Sequence, residues 1–486
     1  MFPGLLLPRT ARVFGRVRGP ANGVLYALYH LHQPWRIPFR LLDSIVILRA
    51  ARRFDSTLMA LAARGGEGVV IAGLLLAATL TPRFATPSTS NVAIARRPPP
   101  ANLGRGVLRS LPQELLPGAV DLRGRDLSAL DLRSPQALAK VSGAWFDQRT
   151  KWPERGRLPA GFDPRQMMDL GKVPGPGVRA LHAEGITGQD VAIGIVDQAL
   201  MVDHVEYRDA LMSYEEIDMG ANEAAQMHGP AVASIAVGRT VGVAPAARLY
   251  YVAIGELGAL RESHDYARGV RRLLEINRQL PLRRRIRVIS LSRGWDTIAP
   301  GYDEMDSAAR QAEAEGVFVV SPNASQRGFP FNGLGRALAA DPERFESYEP
   351  GLFWADVFFR AWACRDLRRV PAGTSPRMVT VLHEQYVRLT QSLFVPMDSR
   401  TTASPTGPDE YVFYRGGGWS WSIPYIAGLY ALAAQVDPSI TPTRFWTLAR
   451  RTGRMVSLRH QGEEIPFGPI ADPPGLIAAV RAHAAR

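Results

Sequence analysis

From about residue 175 the chain alternates short, nearly continuous apolar runs with longer amphipathic ones. The runs VAIGIV (191–196), LYYVAI (249–254), RVISLS (287–292) and VFVVS (317–321) are too short and too uniformly apolar for surface helices, and they read as strands. Between them lie helix-like stretches: GVRALHAEG at 177–185, a segment from about 228, the amphipathic YARGVRRLLEINRQL at 266–280, and 304–315. Strands that are apolar on both sides and separated by helices imply a parallel sheet covered on both faces. The expected fold class is therefore α/β, a doubly wound, mostly parallel sheet with helices on both faces. In such sheets the working residues gather at the carboxyl ends of the strands, and Asp197 stands at one of these ends.

The pattern also divides the chain. The catalytic-type domain is expected over 165–465, with an aromatic-rich insertion at about 322–410 that holds Phe353, Trp354, Phe358, Phe359 and Trp362, and a C-terminal tail at 466–486. Residues 86–118, rich in Pro and Arg with RRPPP at 96–100, read as a linker. In 119–164, DLRGRDLSALDLRSP repeats Asp-Leu every five residues, at 121, 126 and 131, like a fragment of a pentapeptide-repeat coil. Three such units cannot enclose a core of their own and are expected to pack on the following domain.

Charge changes the picture at the start of the chain. The net charge is +13, and residues 1–110 hold 15 Arg and no Lys against Asp43, Asp55 and Glu67, so the remaining 376 residues are nearly neutral. A basic leader before a neutral body excludes nucleic-acid binding by the body and points to targeting. Within the leader, residues 1–85, the run GVVIAGLLLAATL at 68–80 is short for a bilayer span but suits the apolar core of a secretion signal. A chain beginning at Met59 would place Arg64 in a short basic region ahead of it. A membrane anchor, a buried helix and an unstructured Arg-rich stretch are the competing readings. The expected location is extracytoplasmic or secreted, with membrane association through this segment as the variant. The single cysteine, Cys364, excludes an internal disulfide and a zinc ribbon.

Three segments carry candidate chemistry: VAIGIVD ending at Asp197, MHGPAVASIAVG containing His228, and GGGWSWSIPYIAG containing Ser420. Their order, Asp then His then Ser, separates them from trypsin-like triads and from α/β-hydrolases. Together they resemble the three catalytic segments of the subtilisin-like serine peptidases, in a divergent form. ITGQD before the first strand, His204 after it, VGVAPAARLYYVAI after the second segment, and Gly418, Pro424, Ala427 and Gly428 in the third sit on their family counterparts. Gln198, Ala199, Pro230 and Trp419 depart from the family pattern. Pro230 still suits the first turn of a helix.

The resemblance implies Ser420 as nucleophile, His228 as general base and Asp197 as the carboxylate that orients it. It implies an oxyanion-hole Asn, for which Asn323 is the nearby candidate at an offset of about two positions. It also implies a substrate-pairing strand, with Ser292 and Gly294 in its Ser-x-Gly positions. Ser422 is the competing serine, disfavoured by the register of Pro424 and Gly428. No cofactor is expected and no metal motif is present; calcium stabilises related enzymes, but no ligands can be assigned. The expected activity is a serine endopeptidase acting on protein or peptide substrates. The alternatives are a subtilisin-like binding protein with weak or lost catalysis, and a scaffold protein acting through its leader and repeats.

Overall fold

The apolar runs form a five-stranded parallel sheet in the computed structural model, which describes residues 94–100, 106–113, 120–255, 262–366, 370 and 374–485. The leader at 1–85, with its apolar segment, lies outside the described residues. In chain order the sheet contains β1 (Ala192–Asp197), β2 (Leu211–Ile217), β3 (Arg248–Ile254), β4 (Ile286–Ser290) and β5 (Phe318–Val320). Their spatial order is β2-β3-β1-β4-β5, all parallel. The helices that cover the sheet are α1 (His228–Val237), α2 (Glu262–Gln279), α3 (Tyr302–Ala314), α4 (Trp419–Val436) and α5 (Pro473–Ala484).

Successive strand residues face opposite sides, so each apolar run feeds two cores. Ile193, Ile195, Leu249, Tyr251, Val288 and Phe318 enter the larger core with the buried residues of α1, α4 and α5. Ala192, Val196, Tyr250, Val252, Ile289 and Val319 enter the other with α2 and α3. The doubly wound α/β fold is thus present. The edge strand β2, whose LMSYEEI carries two glutamates and is only half buried, has no counterpart among the expected strands.

Three of the expected boundaries differ from the structure, which places Ile94–Arg486 in one unit. Residues 94–100 and 106–113 do not behave as a free linker: Leu108 N donates to Asp126 O at 2.8 Å, and Ala225 N donates to Pro98 O at 2.9 Å. The five-residue repeat buries Leu122, Leu127 and Leu132 in one cluster with Phe146, Phe162 and Phe413. Its neighbours Val120–Asp121 and Ala144–Asp147 join a sheet with Arg400–Ala403 and Tyr411–Tyr414, so no boundary falls at 165. The tail is not separate either, since Leu476, Ile477 and Val480 of α5 are buried in the larger core.

The insertion contributes to a second five-stranded sheet. There Phe331–Arg336, Leu393–Pro396 and Glu463–Ile470 run parallel, flanked by the antiparallel Tyr348–Pro350 and Arg454–His460. Among the described residues no helix is long and apolar enough to cross a membrane.

Candidate active site

Asp197 closes β1 and is fully buried. Its Oδ1 accepts from the Gln198 backbone N–H at 2.8 Å and lies 2.7 Å from His228 Nδ1. Because a carboxylate can only accept, Nδ1 carries the proton and Nε2 is left as the basic nitrogen. His228 opens α1, and the next residue explains how the two segments approach. A Cβ on Gly229 would stand 2.3 Å from Gln198 O and 2.6 Å from the Tyr251 hydroxyl, which itself donates to Gln198 O. Only glycine lets the start of the histidine helix rest against the chain that leaves Asp197. Tyr251, which ties β3 to this point, has no signal in the sequence beyond its place in an apolar run.

Ser420 sits in the first turn of α4. The preceding Gly418 has φ 64° and ψ 173°, a backbone conformation that suits glycine. Inside the helix Pro424 has no N–H to give to the carbonyl four residues back, which is that of Ser420. That carbonyl accepts from Ser292 Oγ instead, at 2.9 Å, and Ser420 Oγ donates in return to Ser292 O at 3.3 Å. The structure therefore brings together Ser420 and Ser292, the latter expected on the substrate strand. Trp421, one residue on, lays its indole 5.4 Å from the His228 imidazole. Ser422 is fully buried, whereas Ser420 is partly exposed. Trp419 meets Phe353 at 5.3 Å and Phe331 at 6.5 Å between ring centroids, and Phe353 is half exposed.

Asp398 had no signal in the sequence. It is buried, and its two oxygens accept from Gly417 N at 3.0 Å and Leu352 N at 2.8 Å, fixing the glycine loop ahead of Ser420 to the interior of the insertion. Burial pushes its carboxyl up to about 6, opposed by those two hydrogen bonds and the nearby Arg415.

Asn323 lies beside Gly294, where an added Cβ would stand 3.3 Å from Asn323 Oδ1. Its side chain clasps the Trp295 backbone: Nδ2 donates to Trp295 O at 2.6 Å, and Oδ1 accepts from Trp295 N at 2.9 Å. Nδ2 also donates to Gln326 Oε1 at 3.3 Å. The amide that would serve an oxyanion is directed at protein partners, and no serine of the glycine-rich segment is among them. His204 is also held by backbone: Nδ1 accepts from Glu206 N, Nε2 donates to Glu410 O at 2.8 Å, and burial lowers its pKa. Among the described residues no group of three or more His, Cys, Asp or Glu is arranged to hold a metal ion.

Residues 188–324 match the family described as the subtilase family, Peptidase_S8. Over 143 residues the chain is 30% identical to the subtilisin-like protease PopC of Myxococcus xanthus (strain DK1622), which is 27% of this chain and 30% of that protein. The chain therefore matches less than a third of the length of this relative. Among solved structures it is similar to the prenylagaramide maturation protease PagA, with 13% identity, TM-score 0.40, and coverage of 63% of this chain and 99% of that one. It is also similar to the PatG macrocyclase domain, with 13% identity, TM-score 0.41, and coverage of 63% and 95%. The matched family segment contains Asp197, His228, Ser292, Gly294 and Asn323 and ends before Ser420. Over that segment the chain is similar to the subtilase family.

Proposed function

We propose that this protein is a serine endopeptidase in which Ser420 attacks the peptide carbonyl, His228 accepts and returns the proton, and Asp197 holds the imidazole. The observation that carries this reading is the buried 2.7 Å hydrogen bond between Asp197 and His228 Nδ1. It leaves Nε2 as the base and stabilises the imidazolium that forms when the serine proton is taken. Ser420 lies in the first turn of an 18-residue helix, where the helix dipole favours negative charge developing on the oxyanion. Its resting hydrogen bond to Ser292 O is long and readily exchanged for one to His228 or substrate. The Trp419–Phe353 ledge suits substrates with an apolar side chain beside the scissile bond.

A second reading, a subtilisin-like protein with weak catalysis, is favoured by one observation: the Asn323 amide is engaged with Trp295 and Gln326. Loss of a side-chain oxyanion donor lowers turnover by about 10²–10³-fold, as in subtilisin, without abolishing it. Peptide hydrolysis by the purified protein tests both readings. Turnover abolished in both Ser420→Ala and His228→Ala supports the triad. Folded wild-type protein with no turnover that depends on Ser420 supports the binding-protein reading. The proposed delivery of the chain to an extracytoplasmic site, or its association with a membrane, rests on the leader alone, and N-terminal sequencing of exported protein tests it.

A further inference from the structure

Residues 94–100 lie against one of the two irregular stretches that, with β2 between them, join the two catalytic segments. The connection from β2 to α1, residues 218–227, has no regular structure, and its Asp218 has φ 51°. Arg97 plugs it. Nη1 donates to the carbonyls of Gly220 at 2.6 Å and of Ala221 and Glu223, each at 3.3 Å, while Nε donates to Glu216 Oε1 at 2.8 Å and Nη2 pairs with Glu216 Oε2. The Arg97 side chain is only 10% exposed and that of Glu216 16%, so this bidentate pair is shielded from water, unlike the exposed Arg96–Asp203 pair beside it. Glu216 is correspondingly held below the usual carboxylate range, chiefly by its hydrogen bonds to Arg97.

Two hydrogen-bonded routes lead from this plug to the catalytic pair. Along one, Glu216 Oε1 accepts from the Tyr214 hydroxyl at 3.0 Å, and that hydroxyl accepts from Leu200 N at 3.4 Å, three residues after Asp197. Along the other, Pro98 O accepts from Ala225 N at 2.9 Å, and the next amide, Gln226 N, donates to Ala199 O at 3.1 Å. The strap, residue 225, residue 226 and the chain leaving Asp197 are thus linked in series, two residues short of His228.

We propose that residues 94–100 are an in-cis strap, with Arg97 as a positioning residue that holds the Asp197 and His228 segments in register for catalysis. Arg97 touches neither substrate nor the reacting atoms; it acts through the 218–227 connection. The catalytic consequence rests on the peptidase reading above, whereas the mechanical one does not, and the test separates them. In the full-length chain, Arg97→Ala, Arg97→Lys, Glu216→Ala and the Arg97→Ala/Glu216→Ala double variant are compared by hydrogen–deuterium exchange of peptides covering 218–230. The same proteins are compared for the rate and pH dependence of peptide hydrolysis.

The proposal expects faster exchange confined to 218–230 in Arg97→Ala. It expects a fall in kcat of about tenfold or more with little change in KM, as small misplacement of a catalytic group produces. The midpoint of the pH–rate profile should move, Arg97→Lys should restore part of the rate, and the double variant should be no worse than either single one. Unchanged exchange at 218–230 in Arg97→Ala overturns the strap whether or not the protein is a peptidase. Altered exchange with kcat and pH profile unmoved in an active enzyme overturns the positioning role. Exchange raised evenly over the whole chain, with a large fall in Tm, also overturns it, because Arg97 would then be a general stabilising residue.

Discussion

At the scale of single residues, the surroundings of Ser420 are set by groups whose chemistry is not advertised in the sequence. Pro424 frees the Ser420 carbonyl and Ser292 takes it, while Asp398 holds the glycine loop by two amides. Asp398 also gives a pH dependence whose sign follows from its environment. Its folded pKa, about 6, lies above its ordinary value of 3.8, so between those values the folded state binds more protons than the unfolded state. Stability from this group is therefore fully present below about pH 4 and is lost as the pH rises through about 6, by up to roughly 3 kcal/mol. Urea denaturation of wild type and Asp398→Asn at pH 4 and pH 7 checks this. The variant should gain on the wild type between the two pH values by a few kcal/mol, and an unchanged difference would count against a buried, charged Asp398.

Legibility also differs residue by residue. Asp197 and His228 were readable because each stands at the end of an apolar element whose period the sequence displays. Arg97 was not, because its partners are mainly carbonyls and every residue supplies one. The role of Asn323 was not readable from its neighbours, since which partner an amide clasps depends on a loop that ends 28 residues away in the chain.

At the scale of elements, the packing of α4 on α1 brings the serine segment to the histidine segment. One tight contact is at Gly428, where an added Cβ would stand 2.6 Å from Val243 Cβ, just beyond α1, and 3.4 Å from Ala236 O in α1. Neither a β-branched side chain in the core nor a helix carbonyl yields cheaply, so Gly428→Ala should destabilise the fold by about 1–3 kcal/mol. It should also lower activity at temperatures well below Tm, because the serine helix is displaced. Thermal unfolding together with kcat measures both, and an unaltered Tm would mean that the two helices are not tightly seated. The central strands were legible because burial on both faces leaves an unbroken apolar run. The edge strand β2 was missed because one side of it meets solvent, and Glu215 and Glu216 break the pattern while serving ion pairs with Arg272 and Arg97.

At the scale of the whole molecule, segments that composition marks as linker, repeat and tail all return to the body. A Pro- and Arg-rich stretch looks like a spacer, yet its arginines find carboxylates and carbonyls brought near only by the tertiary fold. The tail looks detachable, yet α5 seals the larger core. Removing residues 473–486 would strip the buried Leu476, Ile477 and Val480 out of the larger core, each worth about 1.5–3 kcal/mol of burial, a large share of the roughly 5–15 kcal/mol typical of a folded domain. The truncated protein should lose cooperative unfolding or much of its Tm by circular dichroism, whereas a wild-type melting curve would show that α5 is dispensable.

The central claim, that Ser420 is a nucleophile activated by His228 and Asp197, meets its most direct test in the covalent adduct formed with a fluorophosphonate. Mass spectrometry of the labelled, digested protein should place one adduct on Ser420, absent in Ser420→Ala and strongly reduced in His228→Ala. An adduct on Ser422, or no serine adduct on folded protein, would contradict the account.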